Sequence, residues 1–99
     1  MPYRVEYSPD AKNHLKALTA RERAIVTDVV DQQLAYQPTV ETRNRRPMRP
    51  NPFAPWELRV GVLRVYYDVM QEPDAVVFIR AVGIKVRHRV YIGKEAVRL

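Results

Sequence analysis

The residues best able to do chemistry in this chain are arginine, lysine, histidine and tyrosine, and they crowd its second half. Arg59 and Arg64 flank Gly61, Arg80 closes an apolar run, and Lys85, Arg87, His88, Arg89 and Tyr91 follow within one short stretch. Such a set can cleave RNA without a metal ion. The 2′-hydroxyl attacks the adjacent phosphorus, a base takes its proton, cations stabilise the dianionic phosphorane, and an acid protonates the leaving 5′-oxygen. Arginine suits the cationic role because its planar fork of donors matches phosphate oxygens. The plain alternative is a solvated basic face with one tyrosine packed at a sheet edge.

Other chemistries find less support. The three glycines are isolated, so no phosphate-binding loop is present, and His14 and His88 lie far apart without converging carboxylates. Ser8 is the single serine and reads as a helix cap, which argues against a Ser-His-Asp triad. The absence of cysteine excludes disulfides and thiolate metal sites. No metal and no cofactor are therefore expected. The N-terminus lacks the apolar run of a signal peptide, and no stretch approaches the ~20 apolar residues of a membrane span, so a cytoplasmic location without membrane partners is expected.

Charge divides the chain. Residues 1–42 carry 5 Lys/Arg against 6 Asp/Glu, whereas residues 43–99 carry 12 against 5, and ten of those 12 cations are arginine. A basic excess confined to one part favours a polyanionic partner, nucleic acid first.

The elements that must position these residues follow from pattern. Tyr3, Val5 and Tyr7 alternate with Arg4 and Glu6 as in a half-buried strand. Ser8-Pro9-Asp10 starts a short helix with Ala11, Leu15 and Leu18 as its stripe. Thr19 and Glu22 form a capping box for a second helix carrying Ile25, Val26, Val29, Val30 and Leu34, and Pro38 ends it near Tyr36. The tight joint predicts an antiparallel helical hairpin. Residues 38–55 hold five of the eight prolines with Arg43, Arg45, Arg46 and Arg49, and read as an irregular loop. Arg46 is expected to contact RNA phosphates from there. Trp56, Leu58 and Val60 then alternate with Glu57 and Arg59, and Leu63, Val65, Tyr67 and Val69 with Arg64, Tyr66 and Asp68. Residues 75–82 make a third strand, and Val90-Tyr91-Ile92 a weak fourth. The expected fold is α+β: one domain over 1–99, an antiparallel sheet of about four strands with the N-terminal helical hairpin on one face. Trp56, Leu58, Val65, Val77 and Ile79 should form the core with Ile25 and Val29. Arg64 should lie on the polar face, with Arg80 beside it if the strands pair in register, and the tail bearing Lys85, Arg87 and Tyr91 should fold back over them.

The runs Trp56-Glu57-Leu58-Arg59-Val60-Gly61, Leu63-Arg64-Val65-Tyr66-Tyr67-Asp68-Val69 and Ile79-Arg80-Ala81-Val82-Gly83, followed by Lys85, Arg87 and Tyr91, resemble the RelE/ParE-like superfamily of bacterial toxins, and the likeness spans nearly the whole chain. The resemblance implies a toxin neutralised by a cognate antitoxin protein. It also implies either a ribosome-dependent messenger RNA endoribonuclease, an inhibitor of DNA gyrase, or a relative that only binds its antitoxin. In the nuclease case it assigns Arg64 to the scissile phosphate, Lys85 and Arg87 to further phosphate contacts, and Tyr91 to base stacking and proton transfer. The remaining basic residues Arg59, Arg80, His88, Arg89 and Arg46 are expected to bind RNA on their charge and position. Where such nucleases often carry lysines, this chain reads Pro55-Trp56-Glu57-Leu58, which leaves Glu57 or His88 as the alternative base.

Overall fold

The computed structural model of the protein describes residues 2–98. Strand β1 (Arg4–Tyr7) leads into helices α1 (Pro9–Lys16) and α2 (Ala20–Leu34), and six strands follow: β2 (Arg45–Pro47), β3 (Trp56–Val60), β4 (Leu63–Met70), β5 (Val76–Val86), β6 (Arg89–Ile92) and β7 (Glu95–Val97). The architecture is α+β, but the sheet has seven strands rather than about four. Its order is β2-β3-β4-β5-β6-β7, antiparallel throughout. β1 joins the same sheet parallel to the first half of β5, Arg4 facing Val76 and Tyr7 facing Ile79. β5 is long enough to hold β1 with its first half and β6 with its second.

The helices begin where their caps dictate. The Ser8 hydroxyl accepts from the Ala11 N–H at 3.0 Å, and Thr19 and Glu22 exchange both bonds of a capping box at 3.1 and 2.9 Å. α1 rests on β5 and α2 on β4, each touching the sheet more than the other helix, so the hairpin is held by the sheet. α2 buries the i, i+4, i+8 ridge Val26, Val30 and Leu34. Ile25, expected in the core, stands 38% exposed because it lies about 100° around the helix from Val26. Val29 is half-buried.

Two apolar clusters cover the two faces of the sheet. The helix-side cluster takes Leu58, Leu63, Val65, Tyr67, Val77, Ile79 and Val82 from the strands, with Trp56 packed against it. The opposite face carries a smaller cluster of Tyr66, Ala81, Ile92 and Ala54, flanked by Met48 and Phe53. The Pro-rich stretch therefore packs over the second face. Asn51 braces the stretch internally, accepting from the N–H groups of Phe53 and Ala54 and donating to the carbonyls of Arg49 and Ala54.

The stretch 38–55 is also less irregular than its composition predicts. β2 lies within it and pairs with β3 through Arg45–Leu58, Arg46–Glu57 and Pro47–Trp56. Proline is tolerated there because β2 is an edge strand, where a missing N–H breaks no ladder. Arg45 is buried, its guanidinium donating to the carbonyls of Gln33 (2.6 Å) and Val40 (3.1 Å). It ties the end of α2 to the sheet.

Candidate functional site

A two-residue turn, Gly61-Val62, joins β3 to β4, with Gly61 at φ +60°, a conformation glycine adopts without strain. The pairing it sets brings Glu57 opposite Tyr66 and Arg59 opposite Arg64 on the face away from the helices. Beyond β3, Arg46 stands opposite Glu57. Beyond β4, Arg64 faces Gly83, and Lys85 lies two residues further along β5 on the same face.

These side chains line one open concavity of about 490 Å³, with Arg46, Arg49, Arg59, Arg64 and Lys85 as its cations, His88 at its rim and Glu57 as its carboxylate. Arg64 is 7% exposed, and its Nη1 donates to the carbonyls of Gly61 (2.7 Å) and Leu63 (2.9 Å), which fixes the guanidinium against the turn. Glu57 is equally buried, and its Oε1 accepts from Arg59 Nε at 2.8 Å. Behind Glu57 lies Tyr66, with no exposed surface. Burial first, then the neighbouring Glu57 carboxylate, pushes the Tyr66 phenol far above its ordinary range. Its hydroxyl approaches Glu57 without meeting it in a well-formed hydrogen bond.

The structure does not gather every expected residue here. Arg80 is diverted by a bulge. The β4–β5 register slips between Tyr66 and Tyr67, which pair with Ala81 and Ile79 and leave Arg80 as the extra residue. The inward-facing residues of β5 change phase there, from Val77 and Ile79 to Val82 and Ile84. Arg80 is left at a separate depression with Asp10, His14 and Asp68, paired to Asp68 at 3.8 Å and lying over the Phe78 ring. Its carbonyl accepts from the Ser8 hydroxyl, and the Val82 N–H donates to His14 Nδ1 at 3.3 Å. α1 thus satisfies backbone groups at the bulge. Tyr91 is also elsewhere: it pairs with Ile84 and Ala96 and stands on the helix side of β6, back to back with Val90, which lines the concavity. Arg87 sits exposed in the β5–β6 turn at φ 59°, and Arg89 borders a neighbouring depression with His88 and Arg98. The tail therefore pairs as two further strands instead of folding back over Arg64.

The arrangement gathers several cations, Arg64 among them anchored to backbone carbonyls, around one shielded carboxylate. It can bind a phosphodiester and move a proton beside it. Tyr66 went unforeseen as part of this site, although its alternation with Arg64 already placed both on one face.

No protein-family model and no curated protein matches the sequence. Among solved structures, the chain resembles one in the toxin–antitoxin complex RelBE2 from Mycobacterium tuberculosis, with 26% identity and a TM-score of 0.73, the match covering 86% of this chain and all of that one.

Proposed function

We propose that this chain is a toxin of the RelE/ParE-like kind, a ribosome-dependent messenger RNA endoribonuclease held in check by a cognate antitoxin, and its likeness to a chain of the RelBE2 complex supports that reading. The observation that carries the reading is the concavity itself, where five cations, His88 and a buried carboxylate meet on one sheet face. That the similar chain belongs to a toxin–antitoxin complex supports the partner, and a basic face of this kind fits an acidic one.

In this reading Glu57 takes the proton from the 2′-hydroxyl as that oxygen attacks the neighbouring phosphorus. Arg64, Arg59 and Lys85 stabilise the charge on the phosphorane, and His88 gives a proton to the departing 5′-oxygen. The products are a 2′,3′-cyclic phosphate and a free 5′-hydroxyl. Arg64 suits the central role because its anchoring to two carbonyls orients it before substrate arrives. Arg46 and Arg49 hold the backbone of the incoming strand.

The test is messenger RNA cleavage on purified ribosomes. Arg64→Ala should lower the rate by the equivalent of about 3–4 kcal/mol in the barrier while changing RNA affinity little. Equal cleavage by parent and variant would remove the nuclease reading. One observation favours the gyrase reading instead: Tyr91, expected beside Arg64 in a nuclease, stands on the opposite face. A parent that blocks supercoiling and never cuts RNA would decide for it.

A further inference from the structure

Tyr66 is an anomaly in this fold. It has no exposed surface, and its hydroxyl finds no hydrogen-bond partner among the described residues. Leaving a buried hydroxyl unpaired is unfavourable, and replacing it with phenylalanine would remove the cost. The residue directly across the ladder is Glu57, whose carboxylate is engaged by Arg59 at 2.8 Å. Arg59 is itself half-exposed and lines the same concavity, so an incoming phosphate can reach it. A phosphate oxygen and the Glu57 carboxylate compete for one guanidinium.

We propose that Tyr66 is the positioning residue for Glu57: when a substrate phosphate takes Arg59, the Glu57 carboxylate changes partners and accepts from the Tyr66 hydroxyl. The unpaired donor is thus held ready for the bound state. A buried carboxylate that loses its cation needs another donor, and the Tyr66 hydroxyl stands across the ladder to supply it. The other charged groups facing Glu57 are Arg46 on β2, Arg49 beyond it, Arg64 on β4, Lys85 on β5 and His88 in the following turn. Among these neighbours of Glu57, Tyr66 alone brings a buried hydroxyl that has no partner among the described residues. Tyr66, being wholly buried, touches no substrate.

The kinetic consequence rests on the nuclease reading, but the change of partners does not, and the experiment separates them. Inorganic phosphate is added to parent and Tyr66→Phe at constant pH, with the Glu57 side-chain carboxyl carbon followed by NMR. Phosphate should displace the Glu57 resonance in the parent, and the displacement should differ in Tyr66→Phe, while the thermal midpoint of the variant is equal or higher. In ribosomal cleavage Tyr66→Phe should lower kcat several-fold with KM unchanged. An equal phosphate response in both proteins, or none in the parent, overturns the proposal. If the phosphate response is as expected but neither protein cleaves RNA, the partner change stands and the nuclease reading fails.

Discussion

Arg59 and Arg64 face each other across β3 and β4, a like-charged pair that ordinarily weakens a sheet. Each is held by its own acceptor, Glu57 for one and the Gly61 and Leu63 carbonyls for the other. The residue types of this site were legible in the sequence. What spacing cannot show is which cations turn toward one another, and so Arg80 and Tyr91 were placed with Arg64 although the chain directs them elsewhere. His14 shows how a single residue closes a gap the ladder leaves. Its Nδ1 accepts from Val82 beside the bulge, which only the neutral ring can do. Burial lowers its proton affinity, and nearby Asp10 opposes that in part. Since the folded-state pKa lies below the unfolded value of about 6.5, the unfolded chain binds the proton more readily. The contribution of His14 is therefore complete above pH 6.5 and is lost as pH falls through the lower folded value. His14→Asn keeps an acceptor near the same place and does not titrate. Urea unfolding at pH 7.5 and 5.0 should show a larger drop for the parent than for His14→Asn, and equal drops would remove His14 from the acid response.

At the level of elements, the strongest local signals gave the surest expectations. The caps at Ser8 and Thr19 and the alternation through Trp56–Val69 depend on neighbours in sequence, and the helices and strands lie where those patterns place them. β2 escaped because its three residues pair with β3 across an intervening segment and include a proline. The direction of β1 escaped because alternation is the same in parallel and antiparallel strands. The phase change in β5 escaped because a bulge is set by the partner strand and by the α1 groups that bond to it. The glycine in that strand has a function its isolation did not reveal. A Cβ on Gly83 would lie 2.7 Å from the Tyr91 carbonyl and 2.9 Å from Ile92 Cγ1, so β6 approaches β5 only because the side chain is missing. Gly83→Ala should destabilise the protein by about 1–3 kcal/mol through overpacking. The loss should concentrate in the β5–β6 ladder, which carries Lys85 and His88 to the concavity. Hydrogen exchange would show faster exchange in β6 than in β3 for the variant. A uniform change across the sheet, or none, would mean the backbone shifts to admit the methyl group.

For the molecule as a whole, the sheet separates two coats of different charge. The N-terminal part, with a net charge of −1, supplies β1 and the helices that cover one face. The cations lining the concavity all come from the part with a net charge of +7, and they gather on the opposite face. A polyanion should therefore bind on one side only, and the salt dependence of binding should report which side. Each phosphate contact releases condensed counterion, so the slope of log K against log salt counts the contacts, about 0.7 per phosphate for single-stranded RNA. Arg46 lies exposed at the edge of the concavity on β2 and has no part in the proposed proton transfers. Arg46→Ala should weaken binding of a fluorescent single-stranded RNA modestly at low salt and reduce the slope by about 0.7. Lys12, exposed on α1, belongs to the other coat. Lys12→Ala removes the same charge and changes the net charge equally, so it should leave the slope unaltered. Anisotropy titrations at several salt concentrations distinguish the two. If both variants lower the slope alike, the RNA is held by the net charge of the protein and the concavity has no special part in binding it.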